Sequence, residues 1–436
     1  MNKIVPATLP DSHSSIQSIY KKTVLPNGIR IVTEQIPYVR SVSIGVWVNV
    51  GSRDENERNN GITHFVEHMV FKGTKRYSTQ QIARSLESVG GYLNAFTSKE
   101  HTCFYARTLD EYLPKAVDVL SDLVQHPLYN KSDMEKEKFV VLEELKNIED
   151  DPDDLIHDYF DHSVYQKHPL GFPVIGKAEN IKRFSKDDLF EYSREHYTPN
   201  RMVVAGAGNL KHEEVVDLVE KYFHASKSKS GDIKRERVPK RVHSKKEIFE
   251  RPISQAHVCL GTIGYSIKSR HRYPLLVLNT LLGEGMSSRL FQNIREKYGF
   301  AYNVYSFANL MSDTGNFGAY IGTDNNNIDN SINLILKELE KLKTKPVGNA
   351  ELKRTKAQLK GTMMLSLESM SSRMMRLGSG EMYLGDFVPL NAILKKIEAV
   401  SPDEILETAN HLFRMDNFST VIFKPAEVSS SNQKAA

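Results

Sequence analysis

With 436 residues and 49.6 kDa, the chain is longer than one ordinary hydrophobic core requires, so we expect two or three domains. Hydrophobic residues make up 40% and charged residues 26%, and no apolar run reaches about 18 residues, which argues against a membrane-spanning helix. The net charge of +4 comes from one local stretch, and two cysteines are too few for a disulfide framework, so nucleic-acid-binding and disulfide-rich secreted proteins are both disfavoured.

The N-terminal segment, residues 1–22, shows neither common type of leader. It lacks the apolar core of a signal peptide and contains no arginine, in which mitochondrial-type transit peptides are rich. We therefore expect a cytoplasmic protein, with an organelle matrix as the alternative, and not a secreted one. The stretch that follows carries an Asn27-Gly28 hairpin signal, and SVSIGVWVNV alternates as a strand does, so a first domain is predicted over residues 23–224.

A candidate metal motif follows the polar loop GSRDENERNNG. The loop leads into a helix predicted to begin at residue 62 or 63, with Thr63 as its candidate N-cap. His64 and His68 are four residues apart and share one helical face, where two imidazoles can hold one tetrahedral zinc ion. Glu67 lies beside His68, within reach of a water molecule on that metal, and can accept its proton.

The order His-x-x-Glu-His is the inverse of the commoner His-Glu-x-x-His metalloprotease helix. Because the chain has 15 histidines, such a match arises by chance roughly once in 30 similar proteins. The motif therefore requires a third ligand and a substrate site elsewhere in the chain.

Residues 90–109, GGYLNAFTSKEHTCFYARTL, alternate in polarity after a Gly-Gly turn. This pattern predicts a strand at a sheet edge, which can accept an extended peptide as an added strand. An ordinary hairpin is the alternative.

A long helix that breaks near Asp151-Pro152 is predicted over residues 132–160. Glu137 and Glu144 are seven residues apart, which places them two turns apart on one helical face. A zinc ion held by two histidines commonly takes a carboxylate as its third protein ligand, and a second carboxylate can orient a ligand histidine. Acidic residues on a helix are more often simply solvated.

A basic linker is predicted at residues 225–246, which hold nine Lys or Arg and two acidic residues. Beyond it, residues 299–323 repeat the aromatic, Asn and Gly-turn character of 90–109 at an offset of roughly 210 residues. We therefore predict an α+β fold of two homologous domains, each a mainly antiparallel sheet packed with helices. The second domain is predicted over 247–426, followed by a disordered tail at 427–436. The Met-rich stretch 360–385 is interpreted as core packing on one long helix.

The motif His64-x-x-Glu67-His68, with Glu144 seventy-six residues after the second histidine, resembles the pitrilysin and insulin-degrading enzyme family of inverted zinc peptidases. The resemblance is closer to the shorter branch of the family, which contains the mitochondrial processing peptidase β subunit and bacterial relatives. It extends over nearly the whole chain and includes both halves.

The resemblance implies one zinc ion per chain, held by His64, His68 and Glu144. It further implies that Glu67 is the catalytic base and that Glu137 supports the site. Glu143 is adjacent to the third ligand, but the seven-residue spacing from Glu137 favours Glu144.

The resemblance also implies a substrate site. The run Asn94, Ala95, Phe96 and Thr97 is similar to the edge strand that binds peptide backbone in this family. Phe71 matches a residue that lines the pocket beyond the cleaved bond. In the second half, Arg295 and Tyr302 match a pair that reaches the scissile carbonyl, and they lie two helical turns apart if the helix continues past Gly299.

Two acids, Asp154 and Asp158, match acids that pair with an arginine near the cleavage site, so a preference for a basic residue two positions before the cut is expected. The resemblance implies that the chain forms half of the four-domain clamshell found in long members of the family, and that it dimerises as family members of this size usually do. We expect a homodimer, with a heterodimer containing an inactive paralogue as the alternative, and no nucleic-acid or membrane partner. The expected function is a zinc-dependent endopeptidase that cleaves unfolded or presequence-like peptides inside a dimeric chamber, and the alternative is a non-catalytic structural core subunit of the same family.

Overall fold

The computed structural model describes residues 19–224, 235–238 and 245–426 and contains two β-sheets, one in each half of the chain. The strands are β1 Ile19–Val24, β2 Arg30–Gln35, β3 Ser41–Val48, β4 Tyr92–Thr97, β5 Thr102–Leu109, β6 Met202–Gly208, β7 Lys245–Arg251, β8 Ala256–Ile263, β9 Ala301–Leu310, β10 Gly315–Thr323 and β11 Ser419–Pro425.

The two sheets share one strand order. The first sheet runs β1-β2-β6-β3-β5-β4, and the second runs β7-β11-β8-β10-β9. The pairs β2–β6 and β7–β11 are parallel, and the other pairs in the described residues are antiparallel. When β1 is left out, each strand of the first sheet has a counterpart at the same position in the second sheet. The predicted α+β fold of two homologous domains is confirmed.

Helices pack on both sheets, and the metal motif lies on the first of them. They are α1 Ile62–Val70, α2 Thr79–Glu87, α3 Leu113–Gln125, α4 Lys131–Asp150, α5 Pro152–Tyr165, α6 Ala178–Arg183, α7 Lys186–His196, α8 His212–Tyr222, α9 Arg272–Gly283, α10 Ile328–Thr344, α11 Asn349–Ser366, α12 Met370–Leu384, α13 Leu390–Ala399 and α14 Pro402–Leu412. The predicted break at Asp151-Pro152 is confirmed, because Asp151 ends α4 and its side chain caps α5.

Each domain lends one helix to the sheet of the other. Helix α12, from the second half, packs on β2, β3 and β6, while α5, from the first half, packs on β8 and β11. The approach is close at Gly378, where a Cβ atom would lie 2.1 Å from the indole nitrogen of Trp47. Strand β3 is therefore buried on both faces rather than on one.

Three interpretations of local structure need correction. The Met-rich stretch forms two helices, α11 and α12, rather than one. Thr63 does not cap α1, because its hydroxyl is bonded to Tyr192 and the N-cap is Gly61. Within the predicted linker, the guanidinium of Arg235 is largely buried and lies 2.8 Å from Asp54, so this residue is not solvated, and β7 begins before residue 246.

A buried ion-pair network also joins the domains. The Arg53 guanidinium contacts Glu100 at 2.7 Å and Asp313 at 2.6 Å, and the hydroxyl of Ser312 donates to Glu100 at 2.6 Å. The predicted segment 1–22, apart from its last residues, most of the predicted linker and the predicted tail 427–436 lie outside the described residues. The domain bounds therefore stay predictions.

Candidate metal centre

Helix α1 begins at a glycine and is held there by a buried carboxylate. Gly61 has φ of +99°, a left-handed conformation that glycine adopts without strain. The Glu55 carboxylate accepts hydrogen bonds from the backbone N–H of Gly61 and of Thr63, both at 2.8 Å, and from the Asn60 side chain at 2.9 Å. Glu55 thus satisfies donors that the helix leaves free and fixes the direction of α1.

The structure brings His64, His68 and Glu144 together. Helix α1 packs against α4, and one donor atom from each of the three side chains lies within 4.8 Å of the others. The Nε2 atom of His64 lies 3.8 Å from Glu144, and the Nε2 atom of His68 lies 3.4 Å from it. Glu143 points elsewhere and pairs with Lys146. Glu144, not Glu143, therefore faces the histidines.

The two histidines of the cluster have opposite pKa shifts. Burial lowers the pKa of His64 to about 4, and the charge on His68 adds to this shift. Burial also disfavours the charged form of His68, but hydrogen bonds to Glu137 and Glu144 outweigh it and raise the pKa to about 9. A cation that binds here must displace the proton of His68.

Glu137 contacts His68 through the ring nitrogen that does not face Glu144. Its carboxylate lies 3.0 Å from Nδ1 of His68 and 2.7 Å from the Lys72 ammonium. Although burial raises its pKa, these two partners lower it below the usual value, so the group is ionised. Glu137 therefore fixes the ring so that Nε2 of His68 faces Glu144.

Glu67 lies on the same helix as the histidines and contacts the edge strand. The hydroxyl of Thr97, the last residue of β4, donates to Glu67 at 2.7 Å. Burial raises the pKa of Glu67, the Thr97 hydrogen bond opposes this shift, and the charge of Glu144 adds to it. A half-buried carboxylate with a raised pKa is suited to accept and return a proton.

The donor set fits zinc. Two imidazole nitrogens and one carboxylate oxygen are the ligands that zinc takes in hydrolytic sites, where a fourth position stays open. The separations of 3.4 and 3.8 Å are close to those between ligands of a tetrahedral ion with bonds of about 2.0 to 2.2 Å.

The predicted peptide strand lies at a sheet edge. Strand β4 pairs with β5 on one side and ends the first sheet on the other. Asn94 is exposed, whereas Ala95 packs toward the first core and Phe96 packs edge-on against Trp47. Phe71, at the end of α1, also packs toward this core.

The structure places Arg295 and Tyr302 in the second domain, and they are not on one helix. The helix that carries Arg295 runs over residues 289–298 and ends before Gly299, which has φ of +64°. The condition for a helical spacing is therefore not met, and Tyr302 lies on strand β9. The Arg295 guanidinium still stacks on Tyr302 at 5.0 Å and on Phe291 at 4.7 Å. Tyr302 is 78% exposed, and the described contacts of the pair lie within the second domain.

The two predicted specificity acids lie on α5, one of the exchanged helices. Asp154 is exposed, and Asp158 is half-buried. Burial raises the pKa of Asp158, and the charge of Lys99, just beyond the end of β4, opposes this shift. Lys99 in turn pairs with Asp161 at 3.2 Å. The acidic face of α5 therefore lies near the turn that follows β4.

Two family models match the chain. Residues 30–178 match the model described as insulinase, peptidase family M16, and residues 183–359 match the model described as the peptidase M16 inactive domain. Together they cover more than half of the sequence. The chain belongs to peptidase family M16. The predicted resemblance to the pitrilysin and insulin-degrading enzyme family is thereby confirmed.

Relatives of this M16 chain match over nearly its full length. A protein of Bacillus subtilis (strain 168) named an uncharacterized zinc protease is 41% identical over 93% of this chain and 98% of its own. A Mycobacterium tuberculosis (strain ATCC 25618 / H37Rv) protein with the same description is 40% identical over 90% of both chains.

Solved structures share the fold. A protease from Helicobacter pylori superimposes with a TM-score of 0.90 at 23% identity, covering 94% of this chain and 100% of its own. The peptidase M16 inactive domain from Pseudomonas fluorescens gives 0.86 at 19% identity, covering 93% and 98%. Within residues 19–224, 235–238 and 245–426, no helix has both the length and the hydropathy that membrane crossing requires.

The sequence reasoning missed two features of the M16 site. The role of Glu55 was missed, because this residue lies six positions before the N-cap Gly61, outside the position that capping patterns mark. The contact of Thr97 with Glu67 was also missed, because it joins a strand and a helix 30 residues apart and no short pattern encodes it.

Proposed function

We propose that this M16 chain is a zinc-dependent endopeptidase that cleaves unfolded or presequence-like peptides. The observation that carries the proposal is the grouping of His64, His68 and Glu144 within 4.8 Å, with Glu67 on the same helix and bonded to the edge strand. A zinc ion bound there would supply a Lewis acid that makes water nucleophilic near neutral pH.

The protein groups supply positioning and proton transfer. Glu67 takes the proton of the attacking water on its carboxylate and later returns it to the leaving amine. Thr97 holds one oxygen of that carboxylate in place, so the other is free to face the water. Glu137 holds the His68 ring through Nδ1, which leaves Nε2 for the metal.

The free edge of β4 aligns the substrate. An extended peptide pairs with the strand through its backbone, so the site reads shape and main chain more than sequence. Asp154 and Asp158 lie near the turn after β4 and attract a basic side chain on the substrate. Profiling a peptide library with wild type and Asp158→Asn tests this part. We expect enrichment of Arg or Lys two positions before the cut, lost in the variant and kept in the exposed control Asp217→Asn, whereas an unchanged profile contradicts it.

Arg295 and Tyr302 complete the chamber from a second copy of the chain. Their exposed stack lies on the second domain, so a homodimer in which the two copies face each other brings it to the partner's scissile carbonyl. A heterodimer with an inactive paralogue is the alternative. Light scattering of the purified chain distinguishes a dimer from a monomer, and a monomer that cleaves peptides at full rate contradicts the shared chamber.

Metal content and cleavage of a quenched unstructured peptide test the central proposal. Wild type should hold about one zinc per chain, and Glu67→Gln should keep the metal while losing about 10²- to 10⁴-fold in kcat. The exposed control Glu87→Gln should match wild type. A fully active Glu67→Gln contradicts the proposal, and absence of zinc from wild type favours the structural-subunit alternative.

A further inference from the structure

A cavity lies at the domain boundary, between α12 and the helices α9 and α13. It has a volume of about 210 Å³ and adjoins a second cavity of about 580 Å³, with which it shares four wall residues, among them Arg272 and Leu384. Small-molecule sites are typically about 300 to 1,000 Å³ and often lie between domains. The two adjoining cavities together reach that size.

The inner cavity has mainly apolar walls. Strand β9 and helices α9, α11, α12 and α13 each contribute an apolar side chain to these walls. The side chains are Leu310, Leu276, Met363, Leu377 and Ile393, in that order. An aliphatic chain placed among them would leave water for a hydrocarbon surface.

One wall carries a cation without a counterion. In the described part of the chain, the hydrogen bonding of Arg376 is limited to Nη1, which donates to the carbonyl oxygen of Val388 at 2.9 Å, and no carboxylate pairs with it. Glu34, whose charge acts on it, pairs instead with Arg373 at 2.7 Å. Burial lowers the pKa of Arg376, and stacking on Phe387 offsets only part of the lost hydration.

A second polar group on the same wall is also unsatisfied. The ring of Tyr20 stacks on Phe387 at 4.1 Å, and its buried hydroxyl has no hydrogen-bond partner among the described residues. Burial raises the pKa of Tyr20 to about 12, and the charges of two wall acids, Glu381 and Asp386, add to this shift. Glu381 pairs with Lys22 at 2.8 Å, and Asp386 is exposed. A buried polar group without a protein partner can accept a hydrogen bond from, or donate one to, a ligand or a water molecule.

The mouth of the site adds positive charge. Lys268 and Lys396 line the outer cavity, together with Arg270, which pairs with Glu407 at 3.4 Å. Among the described residues of this wall the one acid is Glu404, whose carboxylate caps α14. An anion approaching from solvent therefore meets a net positive field before it reaches Arg376.

We propose that this cavity binds an aliphatic carboxylate of medium chain length, independently of the peptidase function. The carboxylate lies beside Arg376 and Tyr20, and the chain lies along Leu276, Leu377 and Ile393. Because α12, on one side of the cavity, packs on the first sheet and α9 and α13, on the other side, belong to the second domain, a bound ligand stabilises the contact of α12 with the second domain.

Isothermal titration of the full-length chain with hexanoate, octanoate and decanoate tests the proposal. Affinity should rise about fourfold for each added methylene until the cavity is filled. Decanol and decyltrimethylammonium should bind at least about tenfold more weakly than decanoate, because they lack the anion that Arg376 needs. No binding of decanoate, or equal binding of decanol, overturns the proposal.

Variants separate a specific site from nonspecific uptake. Tyr20→Phe removes a hydroxyl with no described partner, so the unfolding midpoint should stay unchanged. The Kd of decanoate should rise about five- to tenfold in this variant. The exposed control Tyr38→Phe should bind as wild type does. Ser379→Leu fills the cavity and should abolish binding. If Ser379→Leu fails to fold, Tyr20→Phe decides, and wild-type affinity in that variant overturns the proposal.

Discussion

The two domains share a sheet order, but they differ in the helix that follows the long central strand. In the first domain this helix is α1, on which His64, Glu67 and His68 are only half-buried and face α4. In the second domain it is α9, RYPLLVLNTLLG, which is buried almost throughout and packs against α11. The same scaffold therefore holds a polar groove in one copy and an apolar core in the other.

The partner helices differ in the same sense. Helix α4 buries Glu137 beside His68, whereas α11, its counterpart, buries Leu352, Thr355 and Leu359. A zinc site with two histidines and one carboxylate therefore needs suitable side chains on both helices of the pair. The comparison teaches that duplication of the fold did not duplicate the chemistry.

The largest expected effect concerns the third ligand. Glu144→Gln should lose zinc and more than about 100-fold of the peptidase activity, because even residues behind a ligand contribute about 10- to 100-fold. Glu143→Gln, one residue away, should keep both, since Glu143 pairs with Lys146 outside the cluster. Metal analysis and peptide cleavage measure both variants. If both variants kept zinc and activity, Glu144 would not be a metal ligand. Helix α4 would then no longer differ from α11 by carrying one.

The next effect tests the exchanged helices. Gly378→Ala places a methyl group 2.1 Å from the Trp47 indole, so we expect a loss of about 3 kcal/mol in the free energy of unfolding. Gly361→Ala, on α11 with open space around it, should instead gain about 0.5 to 1 kcal/mol. Urea unfolding followed by circular dichroism gives both values. A Gly378→Ala chain as stable as wild type would show that α12 does not pack tightly on the first sheet.

The sequence predicts the local features of this comparison and misses the long-range ones. The helix that carries His64, the break at Asp151-Pro152 and the edge position of β4 follow from spacing, proline and alternation, and all three are present. The exchange of α5 and α12 could not be predicted, because amphipathic helices do not specify which sheet they cover. The seven-residue spacing of Arg295 and Tyr302 corresponds to two helical turns only if the helix continues past Gly299, and Gly299, in a left-handed conformation, follows the end of that helix.

A smaller effect concerns the pH dependence of the start of α1, which has no counterpart in α9. Burial raises the pKa of Glu55 to about 7, above its unfolded value near 4.5. Stability from the protonated group is therefore fully present below pH 4.5 and is lost as pH rises through 7. We expect the free energy of unfolding to fall by about 2 to 3 kcal/mol between pH 5 and 8. Urea titrations across this range measure it.

Substitution separates Glu55 from other titrating groups. Glu55→Gln should flatten the pH dependence between pH 5 and 8, because the amide does not ionise. The exposed neighbour Glu57→Gln should leave it unchanged. Parallel profiles for wild type and Glu55→Gln would mean that the carboxylate titrates as it does in the unfolded chain, and that its three hydrogen bonds hold it ionised at pH 5.

The smallest effect concerns the contact between the edge strand and the base. Thr97→Val keeps the size of the side chain but removes the hydrogen bond to Glu67, so kcat should fall about tenfold with zinc content unchanged. Thr108→Val is the matched control on the same hairpin, because its buried hydroxyl has no described partner. If both variants keep kcat within about twofold, the strand aligns peptides without tuning the base, and strand and helix act separately in this domain.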